Sequence, residues 1–246
     1  MSQRRLGVAT VSWWLVFFTA KIFVVLAQQQ DPTTLNGGSV LAMAGDGCIA
    51  LAVDKRFGTG MQMVNISPRH VFQPHPHVMV AFTGLEGDIQ SLKQDLQIQV
   101  ESKTRTTLAS SWKKRNISPR AMSSLTSHLL YGRRQAPFYV EPLVVGLETV
   151  IREEKMVCVP YLCAQDVIGA QSISRAFVCA GVASNSLYGT AEAAWRPGLS
   201  PDELAHVCGN AFLTALERDS LSGYGAMLYL LDENGVVEME LDCRND

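Results

Sequence analysis

The sequence predicts an α+β fold in which antiparallel sheets pack face to face under pairs of helices. Three observations lead there: an early tight hairpin, two places where helical periodicity comes in consecutive pairs, and a second hairpin near the end. Strands in blocks and helices in pairs do not give the alternating βαβ order of a parallel doubly wound sheet.

The first hairpin joins Ser39 to Ala44 with Cys48 to Asp54, both rich in Val, Leu, Ile and Ala, across Gly45-Asp46-Gly47. Its second strand is apolar on both faces until Asp54-Lys55-Arg56, so protein must cover both faces. The charged cluster marks where the chain leaves the core. Met61 to Ile66 and Val78 to Thr83 read as short strands, with Pro68, Pro74 and Pro76 marking loops. At Leu85 the period changes, and Leu85, Ile89, Leu92, Leu96 and Val100 fall on one face of a helix ending near Val100. The polar, basic stretch from Ser102 to Lys114 reads as a solvated connection to a second helix. That helix opens at Ser118-Pro119, an N-cap followed by a first-turn proline, with Ala121, Met122, Leu125 and Leu129 on its apolar face.

Leu143 to Leu147 and Met156 to Cys163 return to strand pattern around a charged turn at 152–155. Phe177 to Gly181 predicts a short buried strand, followed by a helix from about Ser184 to Trp195 with Leu187, Ala191 and Ala194 inward. The clearest helix starts at Ser200-Pro201-Asp202-Glu203, where N-cap, proline and capping-box glutamate coincide. Leu204, Val207, Cys208, Ala211, Phe212, Ala215 and Leu216 continue it as an apolar stripe. Ala226 to Leu231 and Val236 to Leu241 flank an Asn234-Gly235 turn, and the second strand alternates Val237, Met239 and Leu241 with acidic residues. The pentapeptide Asn-Ile-Ser-Pro-Arg occurs at 65–69 and 116–120, before a strand and at a helix start, and signals no repeat.

With 246 residues, 47% of them hydrophobic, the chain can bury a substantial core. Its 21 basic and 23 acidic residues nearly cancel, which argues against nucleic acid or another polyanion as partner. The six cysteines are scattered, with no metal-ligand spacing, and read as free, mostly buried thiols in a reducing compartment.

Residues 1–34 are set apart as an N-terminal extension. Arg4-Arg5 precede an apolar run from Leu6 to Ala27, and Leu26-Ala27 before three glutamines has the form of a cleavage site, as in a signal peptide or weak anchor. Lys21 interrupts that run late, where a signal core is uncharged. The order of readings is an unusual or misassigned start, then a removed propeptide, then a working signal.

The stretch from Asn36 to Arg56, NGGSVLAMAGDGCIALAVDKR, resembles the opening hairpin of proteasome beta-type subunits, which are N-terminal nucleophile hydrolases. The resemblance covers residues 35–246 and implies a four-layer αββα sandwich. It also implies a structural beta subunit of the 20S core particle, serving ubiquitin-dependent protein degradation in cytoplasm and nucleus. The implied partners are other alpha and beta subunits in a four-ring particle; charge balance and residue spacing argue against nucleic acid, a cofactor or a metal cluster, a membrane is not expected, and a cation near the carboxyl terminus, as in some family members, stays open.

Active members of the family begin with a threonine and reach an aspartate sixteen residues later. Here the aspartate is Asp54 and the matching first position is Gly38, which has no hydroxyl. The family's lysine position carries His70, Asp219 and Ser222 match its second aspartate and serine, and Val182 stands where it keeps another serine. All six positions therefore read as an inactive site, and Asn36-Gly37-Gly38 with Arg56-Phe57-Gly58 looks most like a member without its own active site. In plain structural terms, Asp54 serves as an ion-pair or turn acceptor for Arg56, and His70 lies at a surface or interface. Asp219 and Ser222 cap the end of the Ser200 helix. Two alternatives stay open: an active threonine hydrolase processed at Thr33 or Thr34, and a secreted or membrane-anchored binding protein. Against the first, Thr33 lies five residues upstream of the required place, about 16 Å if extended, and a slip of five would exchange the strand's two faces.

Overall fold

The computed structural model describes residues 31–66, 70–110, 117–152 and 155–243. Pro32–Asp246 form one unit, whose architecture follows. Twelve strands and four long helices are arranged in chain order among the described residues: β1 (Ser39–Ala44), β2 (Ile49–Asp54), β3 (Phe57–Thr59), β4 (Gln62–Asn65), β5 (Val71–His75), β6 (Val78–Gly84), α1 (Glu86–Ser110), α2 (Pro119–Gly132), β7 (Val140–Arg152), β8 (Lys155–Gln165), β9 (Gln171–Ser174), β10 (Phe177–Gly181), α3 (Ser184–Ala194), α4 (Pro201–Leu216), β11 (Ala226–Asp232) and β12 (Gly235–Leu241). One sheet has the order β10-β1-β2-β11-β12 and the other β5-β6-β7-β8-β9, and every pairing is antiparallel.

The layers follow from the two-residue period of the central strands. In β1, Val40 and Ala42, together with Ile49, Leu51 and Val53 of β2, face the second sheet and meet Met79, Val145 and Leu162 there. Leu41 and Met43 point the other way, with Ala50 and Ala52, onto Leu187 of α3 and Leu204, Cys208 and Phe212 of α4. A third core lies under the other helix pair, where Val80, Phe82 and Val144 meet Ile89, Leu92 and Leu96 of α1 and Met122 of α2. The fold is thus the four-layer αββα sandwich.

Local chemistry sets the ends of the elements. Ser118 Oγ accepts the Ala121 N–H at 3.2 Å at the start of α2, and the Glu203 carboxylate reaches back to the Ser200 N–H at 3.1 Å at the start of α4. Trp195, just past α3, donates its indole N–H to Ala44 O at 2.9 Å and ties that helix to β1. The six thiols are free; burial pushes Cys48 up to about 11 and Cys179 up to about 12.

The structure corrects several expectations. The first helix does not stop near Val100 but continues to Ser110, so the stretch expected as a connection is partly helical. Strands β3, β5 and β9 were not expected at all. Pro74 lies inside β5 rather than in a loop; β5 is a sheet edge, where the missing N–H breaks no ladder. Strands β7 and β8 run well beyond their apolar centres. Val237 is exposed rather than inward, whereas Met239 and Leu241 of the same strand pack toward α4. Among the described residues, no helix is long and apolar enough to cross a membrane, and the apolar run at Leu6 to Ala27 lies outside the described residues.

Candidate functional site

The site lies where the chain enters β1 and leaves β2. Gly37 and Gly38 both have positive φ, +75° and +97°, a region that suits glycine. At Gly37 there is no room for a side chain, since a Cβ would lie 2.2 Å from Leu221 O. Gly38 is less crowded, the nearest atom to such a Cβ being Asp54 Oδ1 at 3.5 Å. Gly38 donates its N–H to Leu221 O at 3.3 Å and accepts the Val182 N–H at 3.1 Å. Both of its backbone polar groups are therefore engaged inside a continuous chain.

Asp54 ends β2 and is almost fully buried. Its Oδ1 accepts the Ser39 N–H at 3.1 Å and its Oδ2 the Gly223 N–H at 3.3 Å. Burial pushes the carboxyl up to about 7, against the opposing pull of those two N–H groups and of His70 and Arg56. Arg56 does not spend its hydrogen bonds on Asp54, as the sequence had suggested. Its buried guanidinium donates to Gly60 O at 2.7 Å, Leu221 O at 3.2 Å and Asn36 O at 3.4 Å. It fastens three backbone segments, while Asp54 acts on Arg56 only through space.

His70 is a second correction, because it is buried rather than at a surface. Its Nε2 is 2.8 Å from Glu86 Oε2 at the start of α1. Burial raises the Glu86 carboxyl, but hydrogen bonds from His70 and Gln90 and the charges of His70 and Lys93 together outweigh it, and Glu86 lies below the ordinary range. Glu86 is also held by its N–H on Asn36 Oδ1 at 2.9 Å, and Asn36 Nδ2 donates to Gly58 O at 2.8 Å.

Asp219 and Ser222 form the third part. Asp219 follows the end of α4, and its carboxylate accepts the Ser222 hydroxyl at 2.6 Å and the Leu221 N–H at 3.2 Å. Ser222 Oγ lies 2.7 Å from Ser39 Oγ, which accepts the Ala183 N–H at 3.0 Å. Because the Ser222 proton is committed to Asp219, the Ser39 hydroxyl is the donor to Ser222. The result is a directed chain from Ser39 through Ser222 to Asp219. Val182 contributes a backbone N–H and an aliphatic side chain, so nothing polar extends the chain on that side.

Of the six predicted positions, hydrogen bonds through Ser39 and the Gly38 backbone join Gly38, Asp54, Val182, Asp219 and Ser222. His70 couples to this group through its charge on Asp54. Thr33 and Thr34 sit in a short 3₁₀ turn at Pro32–Thr34, where Thr34 O accepts the Gly37 N–H at 3.2 Å. Sequence reasoning missed Ser39, Asn36 and Glu86. One signal for Ser39 was available: it is the sole hydroxyl in an otherwise apolar strand. Chemically, the arrangement orders protons and fixes backbone: Ser39 is fully buried, Gly38 bears no side chain, and no group of three or more metal-ligating side chains occurs among the described residues.

Comparison with known proteins gives a consistent picture. The family profile described as Proteasome subunit matches residues 34–231. The chain is 37% identical over 213 residues to proteasome subunit beta type-3 of Trypanosoma brucei brucei, spanning 87% of this chain and 98% of that one. The corresponding subunit of Drosophila melanogaster is 34% identical over 211 residues, 86% and 97% of the two chains. That of Saccharomyces cerevisiae is 33% identical over 216 residues, 88% and 99%.

Proposed function

The chain belongs to the proteasome subunit family, and from that premise we propose that it is a non-catalytic beta-type subunit of the 20S core particle. In this reading residues 35–246 are the beta-type domain and residues 1–34 an extension. The chain builds the beta ring beside other alpha and beta subunits, in cytoplasm and nucleus, and contributes no chemistry of its own to protein degradation. The observation that carries the reading is Gly38: the position of the nucleophile has no hydroxyl, and its N–H and C=O are taken up by Leu221 O and the Val182 N–H. His70 strengthens it, since its imidazole is already engaged with Glu86 and does not supply a lysine's permanent charge.

Two measurements test the proposal. The protein should co-purify with a complete set of alpha and beta subunits; recovery from cells solely as a free monomer would defeat it. Second, a Gly38→Thr chain engineered to begin at that threonine should stay near background in labelling by a threonine-directed covalent inhibitor, with the particle's active subunits silenced. Two partners are missing, at the positions of His70 and Val182, each commonly worth ~10²–10⁴ in rate. Strong labelling of this single variant would show that His70 or Val182 has been misassigned.

A further inference from the structure

A second site lies at the far end of β1, about 20 Å along the strand from Gly38. There a cleft of about 720 Å³ opens where Ala44 and Gly45 approach β7, β8 and β9, a volume that suits a ligand of small-molecule size. Tyr161 of β8 and Trp195, just past α3, are its aromatic residues, and Arg120 and Arg175 its cations. Both rings are held in place. Trp195 donates its indole N–H to Ala44 O and meets Phe177 edge-on, with ring centroids 6.4 Å apart. Tyr161 is buried, with the Arg120 guanidinium 5.3 Å from its ring centroid, and Arg120 Nε is fixed 2.9 Å from Glu148 Oε2. Glu148 is the one carboxylate that lines the cleft, and it is committed to Arg120. Arg175, exposed just past β9, has no hydrogen bond or ion pair among the described residues. Two guanidinium groups against one carboxylate leave the cleft with a net positive charge.

We propose that this cleft binds a planar aromatic anion of small-molecule size. Its ring lies on Trp195, and its anionic group is held by Arg175 and by the N–H groups of Arg120 that Glu148 leaves over. Three observations select this chemistry. On the β1 side the main chain is already spent: the N–H groups of Ala44, Gly45 and Asp46 go to Ala176 O, Cys48 O and Leu199 O, and the Ala44 carbonyl takes Trp195. That side therefore offers no ladder to an extended peptide, and recognition falls to side chains. A guanidinium fork matches the oxygens of a carboxylate or phosphate. An indole whose orientation is set beforehand stacks on a flat ring with little further loss of entropy. A nucleotide and an aromatic carboxylate share this chemistry, and the test distinguishes them.

The site is separate from Gly38 and does not depend on the proposed function. The full chain is purified with its partner subunits and irradiated in parallel with two probes, 8-azido-AMP for a nucleotide and 4-azidobenzoate for an aromatic carboxylate. Mass spectrometry should find label on peptides containing residues 159–161 or 173–198, and excess unlabelled AMP or benzoate should remove it. Label from the first probe alone assigns a nucleotide, and from the second alone a carboxylate; either supports the site. Arg175→Ala, which removes an exposed side chain, should weaken binding about tenfold and Arg175→Lys about threefold, with a larger difference at low salt than at high. Absence of displaceable label from these peptides, or equal labelling of the Arg175→Ala chain, overturns the proposal. So does a p-benzoylphenylalanine placed at Ile173 that cross-links to a neighbouring subunit, since polypeptide would then fill the cleft.

Discussion

The middle of β2 and its end are equally buried, yet different forces hold them. From Ile49 to Val53 every side chain is at most 3% exposed, and the two sets of alternate residues face two apolar cores. One residue later Asp54 is 1% exposed, and what surrounds it is two N–H donors, a histidine and an arginine. Apolar packing degrades in proportion to the volume removed. A buried polar web fails by unpairing, so the loss of one member leaves others stranded. The core therefore tolerates graded change, while the rim at Gly38 stays ordered only as a set.

The largest expected effect lies in the apolar half. Phe212→Ala, emptying the space between α4 and the first sheet, should cost ~3–5 kcal/mol in denaturant unfolding of the full chain, and Phe212→Leu distinctly less. Equal losses for the two would break the volume rule on which the comparison rests. Next comes the pH response of the polar end. Asp54 holds its proton to about pH 7 in the folded chain, against about 3.9 unfolded. The folded state therefore binds more protons between those values, and stability should fall as pH rises from about 4 to 7, by up to about 4 kcal/mol. Asp54→Asn should flatten that slope. A slope of opposite sign would mean that the paired N–H groups, rather than burial, dominate at Asp54.

Ser39→Ala is expected to cost ~1–3 kcal/mol, because the Ala183 N–H and Ser222 Oγ each lose a buried partner. Combined with Ser222→Ala it should cost less than the sum of the two, since both remove one web. Strict additivity would show that Ser39 and Ser222 are independent. The smallest effect is Ser118→Ala, a surface cap on α2 worth ~1 kcal/mol. It should add simply to Ser39→Ala, being remote in the fold from the web.

Sequence disclosed most where local physics decides. The stripe of α4 with its Ser200 and Glu203 cap, the Ser118 cap and the Gly45-Asp46-Gly47 hairpin all appear as expected, because each signal lies within a few residues. The short strands β3, β5 and β9 were illegible for the opposite reason: they are edges or outliers with little apolar alternation, formed because a neighbour offers a ladder. At the site, the family resemblance was what picked out Asp54, Asp219 and Ser222. Ser39 gained its importance from a hydroxyl 183 residues away, and Asn36 from an amide 50 residues away, separations no window of sequence exposes. His70 misled because its position beside Arg69 suggests solvent, whereas the start of β5 turns its ring inward to Glu86.

The position of the first hairpin in its sheet also sets a clock. Strands β1 and β2 are among the earliest parts of the chain, but their outer neighbours are β10 and β11, and Asp54 pairs with Ala226 about 170 residues later. At synthesis rates of ~5–20 residues per second, roughly 10–30 s pass between emergence of β2 and of the strand that closes its edge. Throughout that interval Ile49, Leu51 and Val53 have no second strand beside them, and long-range closure of this kind is intrinsically slow. The nascent hairpin is thus an aggregation hazard of fixed duration, and the cell has to shield it for most of the time the chain is being made.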